Sequence, residues 1–303
     1  MKVAVMGAGA VGCFYGGMLA RAGHEVVLIG RPNHVRAIER EGLRLQTPLF
    51  DEAVAVSASI EASGAAGAEL VFFCVKSSDT ETAAAAMKPH LSRDALVVTL
   101  QNGVDNAERV RSVITQEVCA AVVYVACEMA GPGYVRHHGR GELIVEPGEA
   151  AGRMARIANA AGIQTELSAN VRSALWEKLV LNCAYNAISA LVQLPLGELR
   201  RLGGAGVETA MRDIVAECIA VARADGVDMP DDVDATVQSI LSTIPAGQYS
   251  STAQDLARNR RSEIGHLNGH IVRRGAALGI PTPVNHLLLI LIQILDNRQN
   301  LGT

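Results

Sequence analysis

The sequence predicts a chain in two parts, an α/β first half followed by an all-α second half. It opens with a short apolar run, residues 1–6, that passes directly into a glycine-rich turn and a helical pattern. Further short apolar runs alternate with alanine-rich helical stretches as far as residue 167. From Ser168 onward only helical periodicity remains. We therefore predict two domains, residues 1–167 and 168–303.

The glycine-rich turn has the pattern GxGxxG, formed by Gly7, Ala8, Gly9, Ala10, Val11 and Gly12. In a strand–turn–helix unit the first glycine permits the sharp turn, the second admits a pyrophosphate, and the third lets the helix pack against the sheet. The amides of the helix N-terminus favour the phosphates. We predict a Rossmann-type dinucleotide-binding domain; a glycine turn of structural use only is the alternative.

The residue after the second predicted strand indicates which dinucleotide is bound. An acidic residue there would accept hydrogen bonds from the ribose 2′-hydroxyl of NAD. This chain has Gly30-Arg31 instead, and a guanidinium suits the 2′-phosphate of NADP. We predict NADP (NADPH) and Arg31 as a cofactor contact; a solvated loop arginine is the alternative.

The remaining elements follow from the same patterns. Apolar runs buried on both faces of a parallel sheet are predicted over residues 25–29, 70–75, 95–100 and 118–125. Residues 134–137 and 142–145, separated by Gly139-Arg140-Gly141, predict an appended hairpin, followed by a helix near 149–161 and a strand over 164–167. The second half predicts helices over 170–191, 206–225, 231–243, 262–278 and 283–298.

Composition narrows the class of protein. The 27 Lys and Arg against 31 Asp and Glu give no basic surface for nucleic acid or a membrane. Six cysteines occur without a CxxC pair, and no signal peptide precedes the first strand, so we expect reduced thiols in a cytoplasmic protein. The most apolar stretch, residues 287–295, is shorter than the roughly 20 residues that span a membrane. It predicts a helix in the core or at a contact of a homodimer.

Two polar positions follow predicted strands, at the edge where open α/β sheets bind ligands. Lys76 comes after the strand ending at Val75, and Asn102 comes after the strand ending at Leu100. A lysine there would hold cofactor or substrate charge, and an asparagine would donate to a carbonyl or carboxamide. The alternatives are a solvated lysine and a tight Asn-Gly turn.

A polar stripe lies on the first helix of the second half. Lys178, Asn182 and Asn186 are spaced i, i+4, i+8 on an otherwise apolar helix, so they share one face about 12 Å long. That face meets either a wet cleft or bulk solvent. His266 and His270 have a spacing compatible with zinc, but no third ligand accompanies them, and we predict no metal.

These motifs together resemble the ketopantoate reductase (2-dehydropantoate 2-reductase) family over nearly the whole chain. The residues that carry the resemblance are the GxGxxG turn, Lys76, Gln101-Asn102-Gly103, Trp176-Glu177-Lys178 with Asn182 and Asn186, Ser250-Ser251 with Gln254-Asp255, Glu263 before Leu267-Asn268-Gly269, and Gly279 to Pro283 with Asn285. The resemblance implies NADPH-dependent reduction of a small 2-keto acid, ketopantoate, to pantoate on the way to coenzyme A.

The resemblance also implies roles for single residues. Lys178 matches the family's catalytic lysine, and Glu263 the glutamate that binds the substrate hydroxyl. Asn102, Asn182, Asn186 and Ser251 match substrate-binding positions. Lys76, Asn102 and Glu263 join the glycine turn and Arg31 among the expected cofactor contacts. An ammonium near the ketone would stabilise charge developing on oxygen and deliver a proton.

The chain departs from the family pattern at two positions. Gly265 stands where the family often has Asp, and Thr252 where it often has Met. Both lie beside expected substrate contacts, so the reaction class is better determined than the substrate. The alternatives are reduction of another 2-keto acid, an opine-type dehydrogenase, or an NADPH-binding sensor without turnover.

Overall fold

The computed structural model describes residues 1–299. The chain divides into two compact units, Met1–Val171 and the part that begins at Arg172. The first unit is α/β and the second helical, which confirms the predicted fold class. The exact domain limit at 167/168 stays a prediction.

The first unit, all of whose residues are described, contains ten strands in one sheet and five α-helices. The strands are β1 (Lys2–Met6), β2 (Glu25–Ile29), β3 (Leu43–Gln46), β4 (Asp51–Val54), β5 (Ser57–Ser59), β6 (Leu70–Phe73), β7 (Leu96–Thr99), β8 (Glu117–Gly131), β9 (Tyr134–Val145) and β10 (Thr165–Leu167). The helices are α1 (Ala10–Arg21), α2 (Pro32–Glu41), α3 (Thr80–Met87), α4 (Asn106–Arg111) and α5 (Glu149–Ala160).

The sheet has the strand order β4-β3-β9-β8-β7-β6-β1-β2-β5, with β10 paired to β9. From β5 to the first part of β8 all pairs are parallel. In β1, Val5 lies between Leu28 of β2 and Phe72 of β6, and all three side chains are fully buried. The strand order reverses at β1, so β1 and β6 form the switch point beside which such sheets bind ligands.

The predicted hairpin at residues 134–145 is wrong. The two runs form a single strand, β9, which pairs antiparallel with β8. The turn that joins β8 to β9 lies before Tyr134. Gly139-Arg140-Gly141 is an irregularity within β9, where the backbone takes positive φ values and the register shifts. The pairing with β8 continues through this segment, so the chain does not turn back there. The phenol of Tyr15 in α1 also donates to the carbonyl of Gly141 at 3.3 Å.

The second unit is built from helices α6 (Val171–Val192), α7 (Leu196–Ala224), α8 (Val233–Thr243), α9 (Ser251–Ala257), α10 (Asn268–Leu278) and α11 (Pro283–Gln299). The start of α7 and the whole of α9 were not predicted. Within α7 the helix breaks at Gly204, where φ is 53° and ψ is −142°. The predicted helix over 206–225 corresponds to the part after this break.

The helix predicted over 262–278 begins later than expected. Residues Ile264–His266 form a separate 3₁₀ turn, and Leu267, with φ −106° and ψ −102°, interrupts the path before α10. The buried Asn268 amide fixes this interruption by donating to Asn285 Oδ1 at 2.9 Å and to the Cys183 carbonyl at 3.4 Å. His266 and His270 therefore do not share one continuous helix.

Within residues 1–299, no single helix has the length and apolar character needed to cross a bilayer. Helices α6 and α7 meet that criterion only when joined, and they are bent by 99° at their junction.

Candidate active site

The glycine turn lies at the switch point of the sheet. The amides of Gly7 and Ala8 both donate to the carbonyl of Ile29, at 3.0 and 2.8 Å, which turns the chain directly after β1. Gly7 has φ +113°, and a Cβ there would lie 2.6 Å from the Cys74 carbonyl carbon. Only glycine fits this position without strain.

The other two glycines of the turn have different surroundings. A Cβ on Gly12 would overlap the Gly7 carbonyl and Val5, so this glycine sets the close packing of α1 on β1. Gly9 is exposed, and a Cβ there would meet nothing within 4 Å. The turn thus has open space at the position where the motif receives a pyrophosphate.

The N-terminus of α1 suits an anion. Gly9 is its N-cap and has no side chain to accept from the first amides, and no acidic residue lies in the first turn. Ala10 and Val11 open that turn and are half-buried, while Ala8 is buried against the sheet. Free amides and the positive end of a helix dipole favour phosphate here, so these residues fit a dinucleotide.

Arg31 lies at the end of β2, the strand beside β1. It is exposed and is the N-cap of α2, whose first residue is Pro32. Before it, Gly30 lies so close to Ala8 that a Cβ would be 2.6 Å from the Ala8 Cβ. The Arg31 backbone is therefore held next to the glycine turn while its guanidinium remains in solvent.

Lys76 and Asn102 lie at the same edge of the sheet. They follow β6 and β7, which are parallel neighbours with Phe73 opposite Thr99. Both residues are half-buried. The structure thus brings together the glycine turn, Arg31, Lys76 and Asn102 at the carboxyl ends of four adjacent parallel strands.

A buried polar network joins the loops that carry Lys76 and Asn102. It was not predicted, because nothing in the sequence showed that these polar residues are buried together. Its hydrogen bonds connect Ser77, Thr80, Gln101, Asn102, Asn106 and Arg109.

In the second unit, α6 presents the predicted stripe. Trp176, Leu179 and Val180 are almost fully buried, whereas Lys178 and Asn182 are half-buried. Asn186, at the far end of the stripe, is 4 % exposed. The lysine and the first amide are therefore accessible at the edge of an otherwise buried helix.

Ser251 is held near this stripe by its neighbour Ser250. The Ser250 hydroxyl donates to the Asn186 carbonyl at 3.1 Å and accepts from the Ala253 amide at 3.0 Å, which caps α9. Asn186 Nδ2 lies 3.4 Å from Ser251 Oγ as a result. Two predicted substrate residues that are distant in sequence thus meet on one surface.

Glu263 precedes the 3₁₀ turn and is half-buried. Asp296 of α11 anchors the segment before it by accepting from the Ser262 amide at 3.0 Å and from the Ser262 hydroxyl at 2.7 Å. Arg273 of α10 donates to the Gly265 carbonyl at 2.8 Å and anchors the segment after it. Asp296 was not singled out from the sequence, where it is one polar residue in an apolar helix.

The two departures from the family pattern have different surroundings. Thr252 is 2 % exposed inside α9, so its side chain belongs to the core of the unit. At Gly265 a Cβ would meet nothing within 4 Å. A side chain is therefore missing at an open position of the Glu263 segment.

Three of the six thiols, Cys13, Cys119 and Cys183, are poorly suited to catalysis. Burial raises the pKa of Cys13 to about 12 and that of Cys119 to about 11, and it raises the pKa of Cys183 strongly as well. Such groups stay protonated at neutral pH and are weak nucleophiles. Among residues 1–299, no three His, Cys, Asp or Glu side chains gather as a metal site.

Two family models match this chain. The model described as "Ketopantoate reductase PanE/ApbA" matches residues 3–150, and "Ketopantoate reductase PanE/ApbA C terminal" matches residues 170–296. The chain belongs to the ketopantoate reductase family. Membership of this family supports a nicotinamide dinucleotide as the cofactor, which agrees with the glycine turn.

Individual relatives agree with the family models. The chain is 34% identical to a 2-dehydropantoate 2-reductase of Halobacterium salinarum, over 97% of this chain and 98% of the relative. It is 63% identical to a PanE/ApbA family ketopantoate reductase of Ralstonia eutropha JMP134, whose crystal structure has a TM-score of 0.94 and covers 99% of this chain and 100% of that one. The same fold is found in a D-mandelate dehydrogenase bound to NADH and anilino(oxo)acetate, with 24% identity, a TM-score of 0.91 and coverage of 99% and 100%.

Proposed function

We propose that this chain reduces 2-dehydropantoate (ketopantoate) to (R)-pantoate with NADPH, a step of pantothenate and coenzyme A biosynthesis. Family membership supports the reaction class. The observation that carries the proposal is the stripe of Lys178, Asn182 and Asn186 on α6, with Ser251 3.4 Å from Asn186. It combines one cation with neutral hydrogen-bonding groups, as a small anionic keto acid requires.

The first unit is proposed to bind the cofactor through the glycine turn, Arg31, Lys76 and Asn102. When bound, the reduced nicotinamide supplies the hydride for the ketone carbon. An exposed guanidinium at the end of β2 supports NADPH over NADH, because it suits a 2′-phosphate and no carboxylate takes its place. Glu263 is proposed as a further cofactor contact.

The second unit is proposed to carry the proton chemistry. Lys178 stabilises negative charge that develops on the ketone oxygen and donates a proton to it. The carboxylate of Glu263 accepts a hydrogen bond from the substrate hydroxyl. Asn182, Asn186 and Ser251 donate to the substrate carboxylate and hydroxyl. These donors are neutral, so they bind the carboxylate without adding a second cation.

A different 2-keto acid is the second candidate substrate. Gly265 favours it, because this position beside Glu263 is open and lacks the side chain often found in the family. A non-catalytic NADPH sensor is the remaining alternative, and it leaves the Lys178 stripe unexplained.

The deciding experiment follows NADPH absorbance with ketopantoate and a panel of other 2-keto acids. The wild type, Lys178→Ala and the exposed-lysine control Lys88→Ala are compared. Turnover of ketopantoate by the wild type and the control, but not by Lys178→Ala, supports the proposal. If the wild type reduces a different 2-keto acid and not ketopantoate, that acid becomes the assigned substrate. The Gly265→Asp variant then tests whether ketopantoate activity returns. NADPH binding without any turnover supports the sensor.

We also propose a homodimer that buries the exposed apolar stripe of α11. Leu287, Ile290, Leu291 and Ile294 lie at helical spacing and are 57%, 41%, 37% and 56% exposed. Sedimentation equilibrium of the wild type and Ile290→Glu measures this directly. A wild-type monomer at micromolar concentration would contradict the dimer.

A further inference from the structure

Asn106 is the centre of the polar network between the loops after β6 and β7. It is 3 % exposed. Its Oδ1 accepts from Thr80 Oγ1 and from Arg109 Nη1, both at 3.0 Å. Its Nδ2 donates to the Asn102 carbonyl at 2.7 Å and to Ser77 Oγ at 3.3 Å. The amide thus uses its full hydrogen-bonding capacity, two acceptor and two donor contacts.

The same network fixes the backbone on both sides of Lys76. Gln101 Nε2 donates to the Val75 carbonyl at 3.1 Å. On the other side, Arg109 Nη2 donates to the Ser77 carbonyl at 2.8 Å. Thr80 Oγ1 lies 3.1 Å from the same carbonyl, but its single proton is the one donated to Asn106 Oδ1. The carbonyl groups of the two residues on either side of Lys76, Val75 and Ser77, are therefore held by residues of the neighbouring loop and of α4.

Arg109 of the network forms an ion pair with Glu81. Its guanidinium binds both carboxylate oxygens of Glu81 at 2.7 Å. This pairing lowers the pKa of the Glu81 carboxyl and raises that of Arg109. Both groups therefore stay ionised around neutral pH, and the ion pair between α3 and α4 persists under assay conditions.

We propose that Asn106 is a positioning residue of the reductase. By holding the Asn102 carbonyl and Ser77 together, it fixes the places of Asn102 and Lys76 at the strand ends. Loops beyond a sheet edge have no ladder of backbone hydrogen bonds, so side-chain contacts determine their geometry. This inference rests on the proposed function, which gives Asn102 and Lys76 their roles.

Asn159, an exposed asparagine of the same unit with several side-chain hydrogen bonds to the backbone, provides a control. Its Nδ2 donates to the carbonyls of Ala155 and Thr165 at 2.8 and 2.9 Å, and its Oδ1 accepts from the Thr165 amide at 3.0 Å. These three hydrogen bonds join α5 to β10 and involve no candidate site residue. Asn159→Ala therefore removes asparagine hydrogen bonds that have a structural role only.

The experiment compares Asn106→Ala and Asn159→Ala with the wild type. Thermal unfolding is measured by circular dichroism, the NADPH Kd by fluorescence titration, and kcat and KM with ketopantoate. We expect both variants to lower Tm, but only Asn106→Ala to raise the NADPH Kd and the ketopantoate KM by about tenfold or more. Displacement of a contact group by ~1 Å is enough to change rates by ~10²-fold.

A second pair of variants covers the case in which Asn106→Ala does not fold. Thr80→Val removes the hydroxyl that donates to Asn106, and Thr80→Ser retains it. We expect Thr80→Val to weaken NADPH binding and Thr80→Ser to restore it. Constants within twofold of the wild type in folded Asn106→Ala or Thr80→Val protein would overturn the inference.

Failure of the proposed function gives a different result. If the wild type binds NADPH but does not reduce ketopantoate, the substrate assignment fails while the Kd comparison still decides the role of Asn106. If the wild type binds neither NADPH nor NADH, both the function and the inference are overturned.

Discussion

The two units hold their candidate site residues in different ways. In the α/β unit, Lys76 and Asn102 lie on loops beyond strand ends, and a separate buried network fixes those loops. In the helical unit, Lys178, Asn182 and Asn186 are placed by the periodicity of α6 itself. Side-chain networks there attach other segments to the helix, as Ser250 does for Ser251. A helix thus orders a site directly, whereas loops need supporting residues that bind no ligand.

The largest expected effect is on the helical unit. Lys178→Met removes the proposed proton donor, and general-acid groups contribute about 10²- to 10⁴-fold to rate. We expect kcat to fall within that range while the NADPH Kd changes less than threefold, roughly 0.6 kcal/mol. Stopped-flow and fluorescence titration measure the two quantities. A parallel loss of kcat in Lys88→Met would show that the effect is not specific to the stripe.

A smaller effect separates two glycines of the α/β unit. Gly7→Ala forces a positive φ and a close contact with Cys74, so we expect it to destabilise the fold by about 1–3 kcal/mol or more. Gly9→Ala has space for its methyl group and should keep the wild-type Tm while weakening NADPH binding. Urea unfolding and nucleotide titration check both. Equal stability of the two variants would contradict this assignment.

The preference for NADPH over NADH tests the role of Arg31 at the end of β2 in the same unit. Arg31→Ala should raise the Kd for NADPH roughly 10- to 100-fold, the loss expected for a charge-assisted hydrogen bond of about 1.5–3 kcal/mol. Binding of NADH should be unchanged. Arg36→Ala, an exposed arginine of the same helix, is the control. If NADPH and NADH are affected alike, Arg31 does not read the 2′-phosphate.

Alkaline pH should destabilise the core of the α/β unit. Burial raises the pKa of the Cys13 thiol from 9.0 to about 12. The unfolded chain therefore loses this proton first, and the stability contribution, complete below pH 9, is lost as pH rises from 9 towards 12. At pH 10 the loss from this thiol is on the order of 1 kcal/mol. Urea unfolding at pH 8 and 10 should show a shallower pH dependence in Cys13→Ala.

The smallest expected effects distinguish neighbouring serines of the helical unit. Ser250→Ala removes the α9 cap and should lower stability by about 1 kcal/mol. Ser251→Ala leaves the cap intact, so it should raise the substrate KM and leave Tm nearly unchanged. Differential scanning calorimetry and steady-state kinetics separate the two. The reverse pattern would assign the structural role to Ser251.

Local sequence predicted the parts of the fold that depend on regular spacing. The apolar strands and the Lys178 stripe could be predicted because apolar runs mark buried strands and the stripe follows the helical period. The GxGxxG turn could be predicted because its glycines have a fixed spacing between a strand and a helix. Gly139-Arg140-Gly141 misled the prediction, since glycines serve turns and strand irregularities alike. The late start of α10 was also missed, because it depends on Asn268 contacting Asn285 across the unit.

By itself, the sequence determined the order of an α/β unit before a helical one, the dinucleotide turn and the family. Only tertiary structure decided which polar residues support the site. In the sequence, Asn106 and Asp296 look like ordinary surface or capping residues, and Ser250 stands out only as part of a family motif. Their roles arise from burial beside segments distant along the chain, and a buried amide or carboxylate must find partners there. Periodicity reports which face of an element is buried, but not what that face meets.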